Sequence, residues 1–272
     1  MKYQLIACDL DETLLNKDHG ITQRNIDMIH KARALGVKFV PATGRLFTGV
    51  KDVLKDLGLD NQEDEYVISA NGGILTENKD FRILELCGLT FEKAKELFEF
   101  GKQFNICIQI HALENIYMYN LNEDEHQRVL NQGVSFEILK DENIDYLKDK
   151  KIIKVLYQTT DVAYLESIEP LLKPLTEGEV SISYSSSRYM ELNQLGINKG
   201  QGLKDLAKLL NIPIEATIAI GDHYNDEPML KVAGLSVAAN NAIDDIKAIC
   251  DYTTAADHNE GVVAEVIEKF IL

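Results

Sequence analysis

Short apolar runs and helix-spaced apolar stripes take turns along the first third of the chain. Residues 3–8 form a short, mostly apolar run that ends against acidic residues. Thr22 can cap a helix with apolar positions at Ile26, Ile29 and Ala32, and Gly36 can stop it. Residues 37–42 read as a second strand. Val50, Val53, Leu54 and Leu57 make the stripe of another helix, which Gly58 can end, and residues 66–70 read as a third strand. Strands that alternate with helices predict a parallel sheet with right-handed crossovers.

The rhythm then changes. Gly72-Gly73 and Asn78-Lys79-Asp80, set between apolar residues, predict a hairpin. From about residue 83 to 187 strands become more frequent. Thr90 can cap a helix through about Gln103, with Phe91 and Leu97 in its core stripe. Residues 106–111 and 116–119 look like paired strands, and 124–133 has a helical pattern. A strand at 152–158 precedes a helix at 162–172, and 181–184 and 189–192 are strand-like. Tyr117, Tyr119, Tyr184 and Tyr189 fall on these strands, with their face left open. Alternation resumes at Lys199, with a helix to about Leu210, a strand at 217–220, a helix after Asn225, a strand at 235–238 and a closing helix at 262–270. The expected fold class is α/β. Residues 1–82 and 188–272 form a parallel sheet with helices on both faces, and 83–187 form an inserted α+β module. There is no long Gly/Ser/Pro linker, so both crossings are expected to be short hinges.

Composition narrows the partners. In 272 residues, 45% hydrophobic content is enough for a substantial core. A net charge of −16 argues against binding nucleic acid through its phosphates and against anionic membrane surfaces. A phosphate-bearing substrate would therefore need local positive charge in its site. Cys8, Cys87, Cys107 and Cys250 form no CxxC pair, which reads as free thiols in a reducing compartment. No run approaches the roughly 18 continuous apolar residues of a membrane span. No basic stretch followed by an apolar one opens the chain, so a cytoplasmic protein is expected.

Four clusters carry chemistry. Asp9-Leu10-Asp11-Glu12-Thr13 follows the first strand, where open α/β sheets bind ligands. Of two carboxylates spaced in this way, one can attack phosphorus and the other can move protons. Without a ligand they would be solvated loop acids. Pro41-Ala42-Thr43-Gly44-Arg45 follows the second strand, where a hydroxyl and backbone amides can hold phosphate oxygens. Thr43 could equally be a plain N-cap. Lys199, in Asn198-Lys199-Gly200, opens a helix. A cation there opposes the helix dipole and needs a compensating anion, unless it is simply solvated. Gly221-Asp222-His223-Tyr224-Asn225-Asp226 follows an apolar strand and opens a helix, with Asp222 at the strand end as Asp9 is. His223 reads as a loop or helix-start residue rather than a ligand, since hard cations prefer oxygen. Neither GxGxxG after the first strand nor GxxxxGK[ST] is present.

In order and in placement these clusters resemble the DxDxT, Thr, Lys and GDxxND elements of the haloacid dehalogenase superfamily. Asp-Leu-Asp-x-Thr-Leu-Leu, Ala-Thr-Gly-Arg, Ser-Ala-Asn-Gly-Gly, Asn-Lys-Gly and Gly-Asp-x-x-Asn-Asp-x-x-Met-Leu narrow the resemblance to its Cof-type, subclass IIB branch. The resemblance implies a Rossmann-like core with a C2-type α+β cap. It implies a Mg²⁺-dependent phosphatase of small phosphate monoesters, such as sugar phosphates, acting through an aspartyl-phosphate. Asp9 would be the nucleophile, and Asp11 the acid toward the leaving alcohol and then the base toward water. The Asp9 carboxylate, the Asp11 backbone carbonyl and Asp222 would bind Mg²⁺. Asp9, Leu10, Thr43, Gly44, Lys199 and Asn225 would hold the transferring phosphate. Asp226 would orient Lys199 or a metal-bound water, and Arg45 and Asn71 would meet the rest of the substrate. Two positions depart from the pattern: Glu12 stands where many members have glycine, and His223 fills a variable position. A monomer or small homo-oligomer is expected. A phosphomutase and a non-catalytic phosphosugar sensor are the alternatives. The late, large cap argues against the first, and the presence of Asp9, Asp11 and Asp222 against the second.

Overall fold

The first elements are β1 (Leu5–Cys8), α1 (Gln23–Ala34), β2 (Lys38–Pro41) and α2 (Lys51–Asp56), followed by β3 (Tyr66–Ser69), β4 (Ile74–Glu77) and β5 (Arg82–Leu86). Next come α3 (Phe91–Gly101), β6 (Cys107–Ala112), β7 (Ile116–Tyr119), α4 (Glu123–Asn131), β8 (Phe136–Ile138), β9 (Ile152–Gln158), α5 (Val162–Thr176), β10 (Val180–Ser185) and β11 (Tyr189–Gln194). The chain closes with α6 (Lys199–Leu209), β12 (Thr217–Gly221), α7 (Glu227–Val232), β13 (Leu235–Ala238), α8 (Asp244–Ile249), β14 (Tyr252–Thr253) and α9 (Val262–Phe270). The structure, a computed structural model, describes residues 2–131, 135–139 and 142–272, so the last two positions of the helix expected at 124–133 lie outside it. Two units emerge, Met1–Leu86 with Asn198–Leu272, and Cys87–Ile197.

In the first unit five strands pair in the order β14-β13-β12-β1-β2, all parallel. Side chains alternate across a strand, so β1 feeds two cores. Ile6 and Cys8 join Met28, Ile29 and Ala32 of α1, Leu54 of α2 and Val263 and Ile267 of α9. Leu5 and Ala7 join Leu203 and Leu206 of α6, Met229 of α7 and Ile246 of α8. Helices cover both faces, which is why β1 is apolar along its whole length rather than alternating. Thr22 caps α1 as expected, its side chain accepting the Asn25 N–H. Buried Asn25 in turn accepts the Ala264 N–H at 2.9 Å and tethers α9.

The strand expected third in the parallel sheet is placed differently. β3 forms its ladder with β4, in a separate antiparallel sheet ordered β3-β4-β5. Toward the parallel sheet it makes a parallel bridge between Ala42 and Ile68 and packs Tyr66 and Ile68 into the core shared with Leu5, Ala7 and Val40. The cause is the turn after β3, where Ala70 and Asn71 adopt left-handed φ values of 50° and 53° and fold the chain back into β4.

The second unit holds a six-stranded sheet, β10-β11-β9-β6-β7-β8, antiparallel except where β7 meets β8. One face packs Ile108, Ile110, Val155, Tyr157, Met190 and Leu192 against Leu97 and Phe98 of α3 and Leu165 and Ile168 of α5. Tyr117, Tyr119 and Tyr184 lie on this apolar side, and Phe91 packs against it. Tyr189 instead donates its hydroxyl to Glu125 of α4 at 2.7 Å. Gln109, Lys154 and Glu191 are buried polar residues, and Lys154 Nζ pairs with Glu191 at 2.6 Å. The units divide at Leu86/Cys87 and Ile197/Asn198 rather than at 82 and 188. β5 stays with β4, and β11 is hydrogen-bonded between β9 and β10, so neither strand can sit in the other unit.

Candidate active site

The carboxyl ends of β1, β2 and β12, with the start of α6, bring the charged clusters together. Asp9 directly follows β1, and its N–H donates to the Ile220 carbonyl of β12 at 2.9 Å. That bond fixes the residue at the sheet end. Asp222 follows β12, with Thr13 Oγ1 donating to its Oδ1 at 2.7 Å. Thr13 is fully buried and is the residue that residue-by-residue reasoning overlooked, although it closes the Asp9-Leu10-Asp11-Glu12-Thr13 motif. Leu10 buries its side chain in the core, so it can offer the site only its main chain.

Lys199 is the centre of charge. Its side chain is fully buried, and its ammonium donates to Asp226 Oδ1 at 2.6 Å and to Asp9 Oδ1. Asp226 does a second task. Its Oδ2 accepts the N–H groups of Asp222 at 2.9 Å and His223 at 3.2 Å, which locks the turn that presents Asp222. Close backbone packing sets this up. A Cβ on Gly200 would stand 2.3 Å from the Pro228 carbonyl, so only glycine lets the starts of α6 and α7 approach this far. Two carboxylates, in place of solvent, meet the electrostatic need that a cation at a helix start creates.

Three buried carboxylates face one ammonium. Burial, followed by the Asp226 charge, pushes Asp9 up to about 8 against the pull of Lys199. Burial, then Asp226 and Asp9, also raises Asp222 well above the ordinary carboxylate range. Burial works against the Lys199 ammonium, but Asp226 and Asp9 outweigh it and raise its pKa. The cluster is short of positive charge.

Oxygens of Asp9, Asp222 and Asp226 lie within 4.8 Å of one another, a grouping able to hold a metal ion. The hydrogen bonds decide which of them could serve. Both Asp226 oxygens are taken, whereas Asp9 Oδ2 and Asp222 Oδ2 accept from no donor among the described residues. Two hard, anionic oxygens with no donor of their own fit a small divalent cation.

The remaining positions surround this centre. Thr43 is buried after β2, and its hydroxyl accepts the Arg45 N–H at 3.1 Å. Gly44 follows, and a Cβ there would come within 3.2 Å of Asn71 Oδ1. Asn71 donates its N–H to the Thr43 carbonyl at 2.9 Å, so the two loops are joined. Asp11 is held by Arg45 through two hydrogen bonds. Asn225 is half-buried beside Asp226 and makes no hydrogen bond among the described residues. Glu12 has a φ of 61° and is exposed. A left-handed backbone here suits glycine, the residue that the resemblance implies at this position.

Residues 6–267 match the haloacid dehalogenase-like hydrolase family. The chain belongs to the haloacid dehalogenase-like hydrolases. A Streptococcus pyogenes serotype M6 protein with a provisional phosphatase name is 30% identical over 280 residues, covering 100% of both chains. A haloacid dehalogenase-like hydrolase of Bacteroides thetaiotaomicron superposes with a TM-score of 0.85 at 28% identity, over 98% of this chain and 99% of that one. A subclass IIB sugar phosphatase of the superfamily shares the fold, with a TM-score of 0.84 over 98% of each chain at 22% identity. The fold class is thus that of a haloacid dehalogenase core carrying a separate, sheet-rich cap, and the protein is a hydrolase. No helix among the described residues is long and apolar enough to cross a membrane.

Proposed function

We propose that this hydrolase is a Mg²⁺-dependent phosphatase of small phosphate monoesters, sugar phosphates among them, that works through an aspartyl-phosphate on Asp9. The observation that carries the reading is the pair of donor-free oxygens on Asp9 and Asp222 beside a buried Lys199. Such a pocket has an anionic nucleophile, room for a hard cation and a fixed ammonium, which are the parts phosphoryl transfer needs.

Asp9 attacks phosphorus, and the ester P–O bond breaks with its electron pair on the departing oxygen. Asp11 gives that oxygen a proton. A water then yields a proton to Asp11 and attacks the same phosphorus, which frees Asp9. Lys199 keeps one Asp9 oxygen in place through both steps, and Asp226 keeps Lys199 in place. Thr43, Gly44, the Leu10 main chain and Asn225 are assigned to the transferring group. Asp9 and Asp222 would hold Mg²⁺, which would supply positive charge that favours their ionised forms and offsets charge on the phosphoryl oxygens. The four unpaired cysteines fit a reducing, cytoplasmic setting.

Phosphate release is measured from a panel of sugar phosphates, nucleotides and flavin mononucleotide, with Mg²⁺ and with EDTA. Release from at least one ester with Mg²⁺, and its loss with EDTA, is the expected result. No release from any ester by folded, metal-supplied protein would shift the reading to a phosphomutase or a sensor.

A further inference from the structure

Arg45 is fixed by its own backbone. Its N–H donates to Thr43 Oγ1 at 3.1 Å, and its carbonyl accepts the Ala70 N–H at 2.8 Å. From this base the guanidinium meets Asp11 as a fork, Nε donating to Oδ2 at 3.0 Å and Nη2 donating to Oδ1. Paired N–H donors fix the plane of a carboxylate as well as its place. The Asp11 carboxylate has no other hydrogen-bond partner among the described residues, and its side chain is 42% exposed. Without Arg45 it would be free to turn among its staggered rotamers.

We infer that Arg45 is the positioning residue for Asp11, and acts on the reaction through that carboxyl group rather than as a contact to the leaving group alone. The inference rests on the phosphatase reading above. A general acid works only within hydrogen-bond reach of the departing oxygen. While Asp11 carries the proton, its protonated oxygen is the weaker acceptor, so one prong of the fork loosens and the other holds. As the P–O bond breaks, its electron pair stays on the alcohol oxygen and the Asp11 proton moves there. The carboxylate left behind is the form that both prongs fit.

The test compares two esters in kcat/KM, which covers every step up to loss of the alcohol. A simple alkyl phosphate, such as glycerol phosphate, needs a proton on its leaving oxygen, whereas p-nitrophenyl phosphate does not. Arg45→Gln is expected to lose roughly 100-fold on the alkyl ester, the scale of an ångström-sized misplacement. Its loss on p-nitrophenyl phosphate should be several-fold at most. Arg45→Lys should recover part of the alkyl-ester loss, and Asp11→Asn should show the same selectivity for ester. Equal losses on both esters, or a loss confined to KM, would overturn the inference and leave the phosphatase reading standing. Wild-type protein that hydrolyses neither ester would overturn both. Circular dichroism and a cooperative thermal melt report that a variant is folded, and if Arg45→Gln does not fold, Arg45→Lys carries the same comparison.

Discussion

Asp9→Asn is expected to lower kcat for phosphate release by at least about 10³-fold while the protein still folds. A carboxamide is a far weaker nucleophile than a carboxylate, and no neighbouring group can replace it. Asp222 accepts a hydrogen bond from Thr13, and Asp226 is fully engaged by Lys199 and two backbone amides. The fold is spared because the residue's structural bond is made by its N–H, to Ile220. The same variant has a second signature in metal-free protein. Asp9 has its folded pKa raised to about 8, by burial first and the Asp226 charge second. Between the ordinary carboxylate range and that value the folded state binds a proton that the unfolded state has lost. Folding stability therefore falls as pH rises through this window, and levels off above it. Asparagine does not titrate. Melting in EDTA should show Asp9→Asn gaining on wild type from about pH 4 to about 8, with a constant gap beyond. A gap that does not change with pH would contradict the account of the charge cluster.

The larger effect on stability is expected at Lys199. Replacing it with Met strips the ammonium from a pocket whose partners, Asp9 and Asp226, have side chains 8% and 0% exposed. Removing one member of a buried ion pair costs about 3–5 kcal/mol, because the remaining charge is stranded. Urea unfolding of Lys199→Met near neutral pH should show a loss of this size, together with loss of turnover. Adding Asp226→Asn should return part of the stability, since an Asn carbonyl can still accept the Asp222 and His223 N–H groups. It should return no activity, since Asp9 would still lack its partner. A single variant within about 0.5 kcal/mol of wild type, the range of ordinary surface changes, would show that Lys199 is not buried as described.

Residues that owe their place to local sequence were legible before the structure. Asp9 and Asp222 each end an apolar run, and a strand end points its next residue into the site whatever the rest of the chain does. Thr22 and Thr90 were legible as caps because a cap speaks to residues three along the chain. Contacts that span the sequence were not legible. Thr13 reaches an aspartate 209 residues away, and Arg45 and Asp11 are separated by 34. Asp226 sits in a quoted motif, yet its hold on two backbone amides depends on the shape of the turn between β12 and α7. The placement of β3 and β11 failed for a related reason. A strand's apolar pattern shows that it pairs, whereas its partner is set by the turn before it or by a distant strand. The short α8, β8 and β14 carry too few residues for a period to stand out. Glu12 was legible only as a departure from the family pattern, whereas its left-handed backbone and its exposed side chain came from the structure.

The central claim is that phosphate passes through Asp9 in two displacements. The stereochemical course at phosphorus tests it most directly, using an ester made chiral with oxygen isotopes and hydrolysed in labelled water with Mg²⁺ present. Each in-line displacement inverts phosphorus, so transfer to Asp9 and then to water predicts overall retention. Overall inversion would mean that water attacks the ester directly, and would contradict the assignment of Asp9 as nucleophile.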